Sequence, residues 1–180
     1  QRFLNTPGNQ IESLVDNTAH LLALLNRGEL DFAVLEGLFD KQHYDWMLFQ
    51  NEPYIGICAQ NHPFAGAEVH IPQLLHERII LRENGSGTRK ILERELQNSG
   101  YTVDAFSSLL CISSFEIIKE LVRGGYGISF LYEAVVKKEA DIGHFRCPPL
   151  TGVHEFNAVF LKNTDAGKIA RQFLFPKHEA

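Results

Sequence analysis

The residues of this chain best placed to do chemistry are hydroxyls and glycines. Ser86, Gly87 and Thr88 lie within Arg82-Glu83-Asn84-Gly85-Ser86-Gly87-Thr88-Arg89, after the apolar run Ile79-Ile80-Leu81 and before a helical stretch running from Lys90 to Gly100. The pattern reads as strand, glycine-bearing turn, helix, with Gly100 as the left-handed residue that closes the helix. Such a turn aims a helix N-terminus into a loop. The glycines let a ligand approach the backbone, Ser86 or Thr88 can cap the helix, and the free N–H groups with the positive dipole end favour an anion. An ordinary capped loop of an α/β protein carries the same pattern. A P-loop is excluded, because the spacing and the Gly-Lys-Ser/Thr ending are missing. Two further strand exits share this character. Ser113-Ser114-Phe115-Glu116 reads as a capping box, with Ser113 as N-cap and Glu116 three residues on. Glu36-Gly37 ends the apolar run Leu30 to Leu35, the kind of exit where α/β sheets place ligands, and Glu36 there is either functional or simply exposed.

Several chemistries find no support. The eight histidines never occur as His-x-x-x-His or at fixed spacing from carboxylates, so no metal site is expected. Gly85-Ser86-Gly87 is not a Gly-x-Ser-x-Gly elbow, and a nucleophilic enzyme is not indicated. Glu36 and His62 are the only weak candidates for acid–base work, and no cofactor is implied. Cys58, Cys111 and Cys147 are odd in number and far apart, which argues against disulfides or zinc and for core or incidental thiols. With 17 basic against 22 acidic residues, the net charge of −5 offers no excess positive charge to a phosphate backbone, so these residues should not bind DNA themselves. No run approaches the ~18 continuous apolar residues of a membrane span, and Gln1 to Thr6 lack signal-peptide organisation; the expectation is a cytoplasmic chain with no membrane partner.

A chain of 180 residues with 44% hydrophobic content suffices for one domain or two small lobes with a real core. Residues 1–7 read as the tail of something larger, with Arg2-Phe3-Leu4 helical in character until Pro7. Ile11 to Val15 could continue into one long helix, but the N-cap run Asp16-Asn17-Thr18 favours a short strand first. A helix follows from about Thr18 to Arg27, with Leu21, Leu22 and Leu25 on one face and Gly28 ending it. Met47 to Ala59 holds two apolar bursts separated by Asn51-Glu52-Pro53, and Pro53 and Pro63 bracket a crossing strand. Ile71 to Leu75 is a short helix, Arg78–Leu81 a strand and Phe106–Cys111 another. Helix faces carry Ile117, Ile118, Leu121 and Val122, while Arg123-Gly124-Gly125-Tyr126-Gly127 leads tightly into strand Ile128–Leu131. Tyr132 to Ala140 reads as helix, Glu155 to Leu161 as strand, and Asp165 to Phe175 as a helix with Ile169, Ala170 and Phe173 inward. Alternating strands and helices predict an α/β fold with mainly parallel sheets, and two crossovers between lobes make a cleft.

Four segments carry a resemblance: Asn26-Arg27-Gly28-Glu29-Leu30-Asp31-Phe32-Ala33, Asn61-His62-Pro63-Phe64-Ala65, the loop from Arg82 to Arg89, and Ile118 through Phe130. In this order and spacing they resemble the effector-binding domain of LysR-type transcriptional regulators, over nearly the whole chain. The resemblance implies a two-lobed, type 2 periplasmic-binding-protein-like fold with a ligand cleft between lobes, lobe I from 1–50 and 153–180 and lobe II from 51–152. Residue by residue, it implies effector contacts from Glu36 and Gly37, from Ser86, Gly87 and Thr88, and from Ile112, Ser113 and Ser114. It further implies a homo-oligomer, dimer or tetramer, and DNA binding only through a domain absent from this chain. The family's first lobe I strand has no counterpart here, so Ile11–Val15 and Leu30–Leu35 would each show an open edge. Tyr132 also departs from the pattern, since the family has proline after this strand. The reading is therefore a sensor of a small anionic metabolite; a free-standing solute-binding protein of the same fold is the alternative.

Overall fold

The structure is a computed structural model that describes residues 8, 10–36 and 38–175. The reading of Arg2-Phe3-Leu4 as a helical tail lies outside the described residues, and so does Gly37. The chain divides into two compact units, Gln1–Gln50 with Glu155–Ala180 and Asn51–His154.

In the first unit, helix α1 (Thr18–Asn26) is capped by Asn17, whose side chain accepts from the His20 N–H, and it buries Thr18, Leu21, Leu24 and Leu25. Leu24 joins this inward face, and Leu22 packs against the same core partly buried. Strand β1 (Ala33–Glu36) pairs antiparallel with β7 (Gly152–Leu161), from Ala33 against Val159 to Glu36 against Phe156. Leu21, Leu25, Leu35, Tyr44 and Val159 form one core between them. Helix α6 (Ala166–Leu174) turns Ala166 and Ala170 onto Ala158 and Phe160, while Phe173 stays 39% exposed beside Phe32. The expected inward Phe173 is thus a rim residue, because Ala166 and Ala170 let α6 approach the strand closely. Ile11 to Val15 adopts neither strand nor helix, and Val15 is 93% exposed. The segment's apolar residues, Ile11, Leu14 and Val15, do not alternate as a half-buried strand requires. Beside it, β1 stands at the end of its sheet, next to a cavity of about 750 Å³ lined by Leu14, Leu21, Phe32, Val34 and Ile169 among others.

Two strands run from one unit into the other. Strand β2 (Tyr44–Ala59) is continuous over 16 residues and passes straight through Asn51-Glu52-Pro53, where a break was expected. Within the second unit it pairs antiparallel with β5 (Ser129–Tyr132) and with β6 (Ile142–Phe145), a strand with no counterpart in the sequence reading. The helix expected over Tyr132–Ala140 is only Glu133–Val136, labelled α5. After α2 (Ile71–Leu74), strands β3 (Arg78–Leu81) and β4 (Ser108–Cys111) pair in parallel, and β3 joins the entry to β5 through Ile80 N–H to Ile128 O, 2.8 Å. β1–β7, β2–β5 and β2–β6 thus pair antiparallel and β3–β4 in parallel, where two helices follow two strands, while isolated parallel bridges join Glu68 to Arg146 and Ile79 to Ile128.

Helix α3 (Gly87–Asn98) buries Ile91, Leu92 and Leu96 and ends in a Schellman turn: Tyr101 N–H reaches Leu96 O at 2.9 Å, with Gly100 at φ 81°. Helix α4 (Phe115–Arg123) buries Ile118, Lys119 and Val122, with Ile118 and Val122 in one core with Ile57, Ile80, Leu131, Val136 and Ile142. Ile117, expected inward, is 52% exposed, and Leu121 is only partly buried. Lys119 is the surprise on this face. It is 7% exposed, with Nζ 2.7 Å from Glu139 and 2.9 Å from Glu116, and these two carboxylates raise its pKa.

Candidate functional site

The site is built by the parallel pair. Leu81 stands opposite Cys111 in the register, and Ile112 N–H donates to Leu81 O at 2.8 Å, so β3 and β4 end at the same level. Neighbouring strands are about 4.8 Å apart, so the loops that leave them run side by side, each into a helix N-terminus. One loop leads from Arg82 through Ser86 into α3; the other, Ile112 to Ser114, leads into α4.

The first loop is a tight turn. Ser86 N–H donates to Glu83 O at 3.2 Å, and Gly85 has φ 92°, a left-handed conformation that disfavours any residue with a Cβ. Ser86 is the N-cap residue of α3, and its carbonyl accepts from Lys90 N–H at 3.1 Å. Its side chain does not cap. Ser86 is 1% exposed, and its Oγ has no hydrogen-bond partner. Thr88 is also 1% exposed, and its carbonyl accepts from Tyr54 Oη at 2.9 Å.

The second loop differs from the capping box read in the sequence. Ser114, not Ser113, is the N-cap of α4; its Oγ accepts from Ile117 N–H at 3.4 Å, and Ser113 is exposed. Glu116 does not return to the cap but pairs with Lys119. The helix starts one residue later because Phe115 packs against the core and lies under Arg82, whose guanidinium sits 4.0 Å from the ring centroid. That contact also binds the two loops to each other. Arg89, in the first turn of α3, reaches back to Arg82 O at 3.4 Å and to Cys111 Sγ at 3.7 Å.

The arginines are already paired. Arg82 makes a two-pronged contact with Glu83, at 2.9 and 3.0 Å, and Arg89 lies 2.6 Å from Glu93. What the loops present is therefore the dipole ends and first-turn N–H groups of two helices, with a buried hydroxyl at one of them. Helices of 12 and 9 residues are long enough for this. The arrangement can hold a small anion.

Of the residues marked in the sequence, the structure brings Ser86, Gly87 and Thr88 beside Ile112, Ser113 and Ser114. Glu36 ends β1 in the first unit, half-buried. His62, the weak acid–base candidate, is 3.6 Å from Glu77, and its Nδ1 accepts from Phe64 N–H. Burial raises the Cys58 and Cys147 thiols to about 11, with Glu77 and Glu68 adding to it. Among the described residues no group of His, Cys, Asp and Glu could hold a metal ion. Sequence reasoning missed Arg82, Arg89 and Tyr54. The pairing of Arg89 with Glu93 at i,i+4 was legible; the reach of Tyr54 across 34 positions was not.

Comparison with known proteins places this architecture. The chain matches the model of the LysR substrate binding domain over residues 4–174. It belongs to the LysR substrate-binding domain family. Among curated relatives, the HTH-type transcriptional regulator CbbR of Sinorhizobium medicae is 29% identical over 138 residues, 76% of this chain and 44% of that protein. The chain thus spans about half the length of the curated relatives it matches. Among solved structures, the CcmR regulatory domain of Synechocystis PCC6803 in complex with 2-PG superposes with a TM-score of 0.81 at 21% identity, covering 96% of this chain and 84% of that one. The effector binding domain of QuiR in complex with shikimate gives 0.73 at 16% identity, covering 88% and 77%. The fold is the periplasmic-binding-protein-like fold of LysR effector domains. Among the described residues no helix is long and apolar enough to cross a membrane.

Proposed function

We propose that this chain is the effector-sensing part of a cytoplasmic transcriptional regulator and that it recognises a small anionic metabolite at the adjoining N-termini of α3 and α4. One observation carries the reading: two parallel strands end level and feed two helix N-termini side by side, with the Ser86 hydroxyl buried there without a partner. A buried hydroxyl without a partner costs free energy, and an anion at the helix end supplies the missing acceptor. The cradle is drawn from the second unit, from Ser86, Gly87, Thr88, Ile112, Ser113 and Ser114; Glu36 ends β1 in the first.

The relatives support the regulatory role, since they are named transcriptional regulators, and a net charge of −5 gives this chain no excess positive charge of its own for a phosphate backbone. Shikimate, the ligand of the QuiR domain, is a carboxylate, which supports a small acid as effector. The protein acts by binding, as a homo-oligomer; light scattering should report a dimer or tetramer, and a monomer at every concentration would contradict that assembly.

Calorimetry with a panel of phosphorylated and carboxylic acids tests the ligand class. The expected result is saturable binding of at least one acid, weakened roughly tenfold by Thr88→Val or Ser114→Ala, the loss of about one charge-assisted hydrogen bond. Binding confined to cations or neutral apolar compounds would sink the proposal.

A further inference from the structure

The residue that holds the first turn of α3 in place comes from a different part of the chain. Tyr54 lies on β2, four residues after Gln50, where the chain passes into the second unit. Its hydroxyl donates to the carbonyl of Thr88 at 2.9 Å. Its ring is 1% exposed in an aromatic cluster, with centroids at 6.3 Å to Phe130, 5.3 Å to Tyr132 and 5.6 Å to His154. His154 is the last residue of the second unit on β7, the other strand that passes between units. Both crossing strands therefore meet at one ring, and that ring's hydroxyl ends on the helix start.

The chemistry of the contacted peptide gives the bond its meaning. The Thr88 carbonyl belongs to the peptide group whose N–H is that of Arg89, the third residue of α3 and one of the first-turn donors that have no intrahelical acceptor. A hydrogen bond donated to a peptide carbonyl polarises the group and strengthens its N–H as a donor. It also fixes the direction in which that N–H points, so that an arriving anion meets a preorganised donor. A tyrosine is needed for both parts of the job. The ring fits the cluster, and the hydroxyl at its tip reaches Thr88.

Resting on the anion reading above, we propose that Tyr54 is a positioning residue for the effector: it orients and polarises the first turn of α3 and ties that turn to the two strands that connect the units. Tyr54 does not touch the anion. It acts through the Thr88–Arg89 peptide, and the state of the crossing strands at Tyr54 and His154 is communicated to the anion cradle by the same bond.

The test compares the unmodified protein with Tyr54→Phe and Tyr132→Phe, titrated with inorganic phosphate and with 2-PG. Affinity is read by calorimetry, and the backbone amides of Arg89 and His154 by NMR. Tyr54→Phe keeps the ring in its cluster and removes only the hydroxyl. We expect about a tenfold loss of affinity, an upfield shift of the Arg89 amide proton before any ligand is added, and loss of the ligand-induced shift at His154. Tyr132→Phe removes a hydroxyl from the same cluster and should leave the Arg89 amide in place. Equal affinity and an unmoved Arg89 signal in Tyr54→Phe would overturn the inference while leaving the anion site standing. The same Arg89 shift in Tyr132→Phe would overturn it by assigning the effect to the cluster as a whole. No saturable binding of either anion by the unmodified protein would remove the functional reading and this inference with it.

Discussion

Replacing Ser86 with alanine should make the protein more stable and a poorer receptor at once. An N-cap serine normally contributes about 1 kcal/mol by accepting from a first-turn N–H, and its loss destabilises the helix. Ser86 makes no such bond, and its Oγ is buried with no partner, so the usual cost of the substitution is absent. What remains is the desolvation penalty of an unsatisfied hydroxyl, roughly 1–3 kcal/mol, which the alanine relieves. For a chain of this length each kcal/mol moves Tm by about 2–4 °C, so the ligand-free variant should melt at least ~2 °C higher. Binding moves the opposite way. Losing one hydrogen bond to a charged group, about 1.5–3 kcal/mol, weakens anion affinity roughly tenfold or more. Scanning calorimetry of the free protein and titration calorimetry with an anion read the two quantities separately. A variant with lower Tm and lower affinity would show Ser86 to be a structural cap, and one unchanged in both would show that the hydroxyl has no part in the site.

Three further outcomes follow from the packing of α4 and the environment of His154. Val122→Asp should leave no soluble folded protein, because Val122 is fully buried in the core and a carboxylate there would have no partner; Leu121→Asp, on the rim, should fold with reduced stability, as expression and melting curves will show. Lys119→Ala should cost about 1–2 kcal/mol in urea unfolding, between an exposed and a buried ion pair, with Arg123 still 2.9 Å from Glu139 to keep that carboxylate paired. His154 has its pKa lowered, first by burial and then by Arg94, against an opposing pull from Glu95. Above about pH 6.5 both folded and unfolded forms are neutral there; below it the unfolded chain takes up the proton first, so stability falls as pH drops from 6.5 toward the lower folded pKa. Urea midpoints across this window should show that slope, and His154→Gln should flatten it.

The parts of the fold that were legible in the sequence are those set by local chemistry. Gly85, Ser86 and Gly100 announce a turn, a helix start and a left-handed close within one short stretch, and the helix over Gly87–Asn98 follows from them. Four ordered segments also sufficed to recognise the family, although each alone is loose. Features fixed by distant partners were hidden. Pro53 reads as a strand breaker, yet β2 runs through it, since proline removes a single ladder donor and not the extended backbone. Strand β6 was invisible because its place depends on Gly56, where an added Cβ would lie 2.3 Å from the Phe145 ring. The shift of the α4 cap from Ser113 to Ser114 reflects Phe115 finding both the core and the Arg82 guanidinium, a contact spanning 33 positions that no local capping rule contains. Ile11 to Val15 was read as a strand only from the N-cap run after it, and its apolar residues at 11, 14 and 15 lack the alternation that a strand face needs.

The central claim, an anion held at the joined starts of α3 and α4, is tested most directly by following backbone amide signals while the protein is titrated with 2-PG, shikimate and inorganic phosphate. The account predicts saturable shifts concentrated at Gly87, Thr88 and Arg89 and at Phe115 and Glu116, with Lys90 onward in α3 moving far less because those N–H groups already have intrahelical acceptors. Shifts centred elsewhere in the chain, or none with any small acid at concentrations where a relative's ligand would saturate it, would contradict it.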